Sequence, residues 1–225
     1  MGREFIDLFD EWSENYNQTV SGDDPEYREV FEHYEHILAE VASLSAGVVI
    51  EFGVGTGNLT QQLLQRGLQV YGIEPSEGMR VQMEKRDLPC VLLNGDFLDF
   101  PTIEDNIDTI VSTYAFHHLT DIEKEQAISI YNNLLGESGK IVFADTLFID
   151  EQARKDTEDH VRLLGHSHLL KDLQTEYYTT RGVLRDIFIR HGFSVTFKQL
   201  NRYVWLIEAS RAQKNNPNIN MSTNE

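Results

Sequence analysis

The stretch EFGVGTGNL, Glu51 to Leu59, links the apolar run VVIEF at 48–52 to a segment whose apolar residues recur at helical spacing over 58–66. Gly53, Gly55 and Gly57 alternate along it. Glycine lets such a turn enter left-handed backbone and lets a ligand approach the main chain with no Cβ in the way. A turn that merely needed positive φ would account for one glycine and leaves three alternating ones unexplained. A nicotinamide or flavin fingerprint, G-x-G-x-x-G, needs glycine at 58, where this chain has Asn58. What stands instead is acid-x-G-x-G-x-G. The next apolar run, QVYGIE at 69–74, ends in Glu74, 21 residues after Gly53, where a carboxylate can accept both hydroxyls of a ribose. The third run, CVLLN at 90–94, is followed by Gly95, Asp96 and Phe97. Acids after strands one, two and three are thus expected as three anchors around one crevice at the carboxyl edge of a sheet.

Further along, DTIVSTY at 108–114 and KIVFADT at 140–146 repeat the pattern of short continuous apolar runs, separated by helical stretches at 58–66, 76–86 and 121–135. Strands that are apolar on both faces belong to a parallel sheet sandwiched by helices, so the fold class is α/β. Residues 4–18 and 26–44 read as two helices ahead of the first strand, with Phe5, Leu8, Phe9 and Trp12, then Val30, Tyr34, Ile37, Leu38 and Val41, at helical spacing. After Asp150 comes a polar helical insertion to about Leu173, or 150–178 with Tyr177 and Tyr178 included, and then a helix over 180–191 closed by Gly192. The runs FSVTFKQL at 193–200 and RYVWLIEAS at 202–210 lie too close together for a crossover and must form an antiparallel hairpin. With no internal repeat, residues 1–210 read as a single domain, a helical segment at 1–45 ahead of a core at 46–210; the Asn-rich 211–225 reads as a disordered tail.

Composition narrows the partners. Thirty-seven acids oppose 19 basic residues over 225 positions, a formal charge of −18. A field of that sign repels nucleic-acid backbones and anionic lipid. The lone Cys90 forms no internal bridge and fits a reducing compartment, and the absence of an apolar run of about 18 residues argues against a membrane span. The expectation is a cytoplasmic protein that binds neither nucleic acid nor membrane.

With these residues in view, the chain resembles the class I S-adenosylmethionine-dependent methyltransferases: on EFGVGTG, on YGIEPSEGM with Glu74, on NGDF with Asp96, and on HGF at 191–193. Its opening, MGREFIDLFDEWSENYNQTV, and the run STYAFHHLTDIEK look like an uncharacterised methyltransferase family of Bacillus-type Firmicutes. The resemblance implies a Rossmann-like, seven-stranded, mostly parallel sheet in the order 3-2-1-4-5-7-6 with an antiparallel C-terminal hairpin and an N-terminal helical lid. It implies S-adenosylmethionine as cofactor, with Gly53 and Gly55 at its methionine part, Glu74 on the ribose hydroxyls, Asp96 on the adenine amine and Phe97 beside the ring. It further implies a link to methionine and cysteine sulfur metabolism.

Methyl transfer from a sulfonium is downhill, so such a protein must mainly hold a nucleophile in line and exclude water. No triad or metal is required. Strand four ends in Ser112, Thr113 and Tyr114, neither the carboxylate of metal-dependent catechol methylation nor the loop that grips a flipped base, and both negatives favour a small-molecule acceptor. His117 and His118 follow that strand, where a neutral imidazole could take a proton or simply pack. The pattern assigns no catalytic residue. His33 with His36, and His166 with His168, lack a third ligand at matching spacing and are not expected to bind metal. Trp12 and Tyr16 share one helical face, which either packs on the core or closes over the cofactor. A non-catalytic cofactor-binding regulatory or scaffolding module is the alternative with the same fold.

Overall fold

The computed structural model describes Ile6, Phe9, Asp10, Ser13, Glu14 and residues 16–212. Along the chain these form α1 (Tyr16–Val20), α2 (Tyr34–Leu44), β1 (Val48–Phe52), α3 (Asn58–Gln65), β2 (Gln69–Ile73), α4 (Glu77–Glu84), β3 (Val91–Leu93) and β4 (Ile107–Thr113). A 3₁₀ turn at Phe116–His118 leads to α5 (Asp121–Leu134) and β5 (Leu135–Thr146). Then come α6 (Glu151–Leu164), α7 (Ser167–Thr175), α8 (Arg181–Arg190), β6 (Phe193–Gln199) and β7 (Val204–Arg211). The seven strands lie in one sheet in the order β3-β2-β1-β4-β5-β7-β6. The pairings from β3 to β5 are parallel, and β7 runs antiparallel to both β5 and β6. The chain thus has the Rossmann-like α/β fold expected of it.

The alternation of β-strand side chains explains the three layers. Val49 of β1 packs with Val111, Val142, Ile37, Leu38 and Leu63 on one face, whereas Ile50 and Phe52 pack with Ile110, Phe143, Ile128, Tyr131 and Phe188 on the other. With both faces covered, the core strands have no polar side to show, and the sequence reads as continuous apolar runs. The long α5 begins with a capping box, in which the Thr120 side chain accepts from the Glu123 N–H while Glu123 accepts from the Thr120 N–H.

Three expectations need correction. The helix expected over 26–44 starts only at Tyr34, because His33 sits at φ 63° in the left-handed region and the preceding residues form turns. Strand β5 begins at Leu135 rather than Lys140, since Leu135 pairs with Ile107 before a bulge in which Gly136 to Gly139 stand opposite Asp108 alone, a register shift of three residues, after which Lys140 pairs with Thr109. Arg211, assigned to the tail, closes β7, and its guanidinium donates to the Asn132 and Leu135 carbonyls. Residues 213–225 and Trp12 lie outside the described residues.

One side chain fastens the C-terminal hairpin to the N-terminal segment. The Asn201 Oδ1 accepts from the Tyr203 and Val204 N–H groups at 2.9 and 2.7 Å, and its amide donates to the Val30 and Glu32 carbonyls at 3.0 and 2.9 Å. All four groups are main-chain atoms that must otherwise find water or stay unpaired. Asn201→Ala should therefore lower the unfolding free energy by about 2 kcal/mol, read from urea denaturation midpoints. A loss within about 0.5 kcal/mol, the usual surface value, would show that solvent replaces these bonds freely.

Candidate active site

The carboxyl ends of the parallel strands are where a doubly covered sheet opens, because the crossover helices there start away from the strand ends. The glycine loop lies at this edge. Gly53 has φ 69°, and a Cβ on it would sit 2.7 Å from that of Ala115. Gly55 has φ 57° and nothing within 4 Å of where its Cβ would be, so its bare main chain faces open space. Both positions suit glycine alone, one for packing and one for backbone.

Glu74, 4% exposed, holds this loop: its Oε2 accepts from the Gly55 N–H at 2.8 Å and its Oε1 from the Ser76 N–H at 2.9 Å. Burial pushes the carboxyl pKa up against the pull of those bonds. Each oxygen keeps a further lone pair for another donor. Asp96, 5% exposed, closes its own turn, its Oδ1 accepting from the Leu98 and Asp99 N–H groups at 2.9 Å. Phe97 stacks on Phe52 at 5.4 Å between ring centres. Gly53, Gly55, Glu74, Asp96 and Phe97 all line one cleft of about 650 Å³. Glu51 does not join them. It is buried within β1, accepts from the Thr60 hydroxyl at 2.6 Å, and is pushed by burial to a pKa of about 8. Two of the three expected acidic anchors therefore meet at the crevice.

The N-terminal segment covers the cleft. Ile6, Phe9 and Tyr16 line it. The Asp10 carboxylate accepts from the Ser76 hydroxyl at 2.5 Å and the Gly78 N–H at 2.9 Å, and Asn17 accepts from the Thr56 hydroxyl at 2.8 Å. Asp10 and Asn17 were not singled out from sequence, because each partner lies across the fold.

A second cavity of about 650 Å³ adjoins the first and shares Phe9, Tyr16, Tyr114 and His118 with it. These four residues form the seam. Tyr114 follows β4 at φ 54°, a left-handed conformation that costs a non-glycine residue of order 1–3 kcal/mol. Its hydroxyl is buried with no hydrogen-bond partner among the described residues. Such strain and such an orphaned group concentrate at sites that take a ligand.

Behind the seam, His117 is clamped between two carboxylates. Its Nδ1 lies 2.5 Å from Asp145 Oδ1 and its Nε2 3.3 Å from Glu176 Oε2, while its N–H donates to Asp145 Oδ2. The Tyr178 ring stacks on the imidazole at 4.8 Å, and its hydroxyl donates to Glu176 at 2.5 Å. Burial alone would discharge this histidine, but Asp145 and then Glu176 outweigh it and raise the pKa to about 10. Glu176, which burial would raise, is instead pulled down to about 2 by His117. The neighbouring His118 goes the other way: burial, and then the His117 cation, lower it to about 3. One histidine is an imidazolium and the next a neutral imidazole, from a spacing of one residue. Asp145 sat unremarked in KIVFADT, and Glu176, 59 residues beyond His117, carried no sequence signal.

His36 pairs with Glu40, and His168 with Glu26. Among the described residues, the group with metal-binding spacing is His117, His118 and Glu176, with ligand atoms within 4.8 Å of one another. There the His117 Nε2 already serves Glu176.

A raised imidazole pKa stabilises the fold below the unfolded value of 6.5, and that stability is lost as the pH climbs toward 10. A depressed carboxyl pKa does the reverse: the Glu176 contribution is present above 4.5 and lost as the pH falls toward 2. Urea midpoints should thus fall as the pH rises above 6.5, and Asp145→Asn should flatten that decline. Parallel profiles for the two proteins would show His117 to be neutral.

Comparison with known proteins places this geometry. A methyltransferase-domain family matches residues 49–139. An uncharacterized methyltransferase of Geobacillus kaustophilus is 55% identical over 210 residues, 93% of this chain and 98% of the relative. One of Bacillus cytotoxicus is 53% identical over 212 residues, 94% of this chain and 100% of the relative. Among solved structures, magnesium protoporphyrin IX methyltransferase from Synechocystis PCC 6803 with bound SAH superposes with a TM-score of 0.71 at 17% identity, covering 94% of this chain and all of that one. The DhpI–SAH complex superposes at 0.66 and 16% identity, covering 95% and 98%. No helix among the described residues is long and apolar enough to cross a membrane. At more than half identity over nearly its whole length, the chain belongs to this family of methyltransferases.

Proposed function

We propose that the protein transfers a methyl group from S-adenosylmethionine to a small-molecule acceptor. The observation that carries this reading is the junction of the two cavities: the first gathers Gly53, Gly55, Glu74, Asp96 and Phe97, and the second opens from its far side across Tyr16, Tyr114 and His118. The residues fit the cofactor. The bare main chain at Gly55 leaves room for the methionine part, the spare lone pairs of Glu74 suit ribose hydroxyls, the Asp96 turn suits the adenine amine, and Phe97 offers a ring face. Solved structures of similar fold carry SAM or SAH. Bound there, the sulfonium supplies the activated methyl group.

The chain's own contribution is placement and dryness. His117 holds its proton between Asp145 and Glu176 and so does not serve as a base. His118, neutral at the seam, can hydrogen-bond an incoming nucleophile and orient it. No step calls for a divalent ion. A second cavity beside the first favours turnover over passive cofactor binding.

Calorimetry in EDTA tests the assignment. Glu74→Ala should weaken S-adenosylhomocysteine binding by about 1.5–3 kcal/mol, the usual loss for a hydrogen bond to a charged group. Gly55→Val should abolish it. Full affinity in either variant, or affinity that appears only when a divalent ion is restored, would move the site or reopen the metal question.

We further infer that residues 1–45 act as a lid, since Phe9 and Tyr16 line both cavities and Asp10 and Asn17 grip the loops that bound the first. Amides of residues 16–20 should gain protection from hydrogen exchange when S-adenosylhomocysteine binds. Equal exchange in both states, with full affinity in Tyr16→Ala, would make this segment ordinary core packing.

A further inference from the structure

The second cavity has a chemical character of its own. Seven of its fifteen described lining residues are Phe or Tyr, and among those fifteen there is no lysine or arginine. Among the described residues its charged groups are Asp172, Glu176 and His117, with Asp145 directly behind the histidine. Three carboxylates against one imidazolium leave these four groups with a net charge of about −2 at neutral pH, which the fields of Lys171 on Asp172 and Lys124 on Asp145 offset only from outside the cavity lining. His117 is fully engaged by Asp145 and Glu176, so it offers no free cation to an acidic ligand.

The placement of the two carboxylates on the cavity wall sharpens this. Asp172 lies in the last turn of α7 and Glu176 is its C-cap, four residues on, with the Glu176 N–H donating to the Asp172 carbonyl at 2.9 Å. A helix C-terminus carries a partial negative charge, and no basic residue in that turn offsets it. Asp172 receives the Tyr27 hydroxyl on Oδ2, and Glu176 receives Tyr178 and His117 on Oε2. A carboxylate carries about four acceptor positions, so each retains capacity on its other oxygen. Of the nearby cations among the described residues, Lys171 is exposed and acts on Asp172 from outside the cavity lining, and the two others are spent elsewhere. Arg154 donates to the Leu173 carbonyl and pairs with Glu158, while Lys124 donates to the Leu119 and Tyr177 carbonyls. Asp172 and Glu176 are partly buried, and carboxylates withdrawn from water favour positive partners, while rings of tyrosine and phenylalanine present their negative faces to the same cations.

The geometry points to a methyl acceptor that carries a protonated amine on an apolar or aromatic body, with its ammonium seated at Asp172 and Glu176 and the opposite end at the Tyr16–Tyr114–His118 seam. This rests on the methyltransferase reading and adds the substrate class. The unpartnered Tyr114 hydroxyl at the seam is then a contact for the end that faces the cofactor cleft. Carboxylate and phosphate acceptors are disfavoured by the same wall.

The test uses the full chain saturated with S-adenosylhomocysteine and three probes of nearly equal shape: benzylamine, benzyl alcohol and benzoate, titrated by ligand-observed NMR. Benzylamine should bind at least about tenfold more tightly than either of the others, the ratio expected of one charge-assisted hydrogen bond. Asp172→Asn, which keeps the shape and the Tyr27 contact, should bring benzylamine down to the affinity of benzyl alcohol while leaving S-adenosylhomocysteine affinity unchanged. Benzoate binding as well as benzylamine, a preference that survives Asp172→Asn, or no binding of any probe to the loaded protein would overturn the amine assignment. Failure of S-adenosylhomocysteine itself to bind would instead overturn the methyltransferase reading beneath it.

Discussion

Burial of β1 and β4 on both faces is the constraint from which the rest follows. Val49, Ile50, Phe52, Ile110 and Val111 are all fully buried. Strands with no solvent face must be covered by helices on each side, and parallel neighbours need those helices as crossovers. Every crossover returns the chain to the same end of the sheet, so the carboxyl edge gathers the loops after β1, β2, β3 and β4. The cleft is placed by this topology before any of its side chains is chosen. What the side chains then decide is the shape of the opening: glycine where main chain must be bare, Glu74 where the loop must be tied back, and Phe97 where a flat wall is formed.

The second organising interaction is the run Asp145–His117–Glu176. His117 and Asp145 are buried and Glu176 is partly so, and a charge withdrawn from water is tolerated only when paired. The pairing joins three distant parts of the fold: the end of β5, the turn after β4 and the residue that caps α7. It thereby fixes part of the wall of the second cavity, and, with burial as the larger cause, it keeps the neighbouring His118 neutral by placing a cation beside it. Lys124, also buried, extends the same logic by donating to main-chain carbonyls at Leu119 and Tyr177, and burial lowers its pKa to about 8. The inserted helices α6 and α7 are therefore part of the site's electrostatics as well as its cover.

Aromatic residues contribute a third element. Phe31, Tyr34 and Tyr114 lie within 5.1–5.8 Å of one another, ring centre to ring centre. This cluster holds the N-terminal segment over the sheet, and Asn201 joins the same segment to the β6–β7 hairpin. Large rings with few rotatable bonds can shape a cavity at low entropic cost, which suits a chamber that must stay formed while ligands exchange.

Read alone, the sequence determined the α/β class, the parallel strands and the antiparallel hairpin, because these depend on periodicity and on loop lengths too short for a crossover. It also singled out Gly53, Gly55, Glu74, Asp96 and Phe97, since residues that follow consecutive parallel strands come to one edge wherever the chain goes between them. The tertiary structure decided what depends on distance across the fold. It turned Glu51 away from the cleft toward Thr60, started α2 at Tyr34 through the left-handed backbone of His33, and carried β7 to Arg211. It also brought Asp145 and Glu176 to opposite sides of His117, giving two adjacent histidines opposite charge states. No spacing rule could supply that last result, because pKa is set by burial and by neighbours in space, and these partners lie 28 and 59 residues away along the chain.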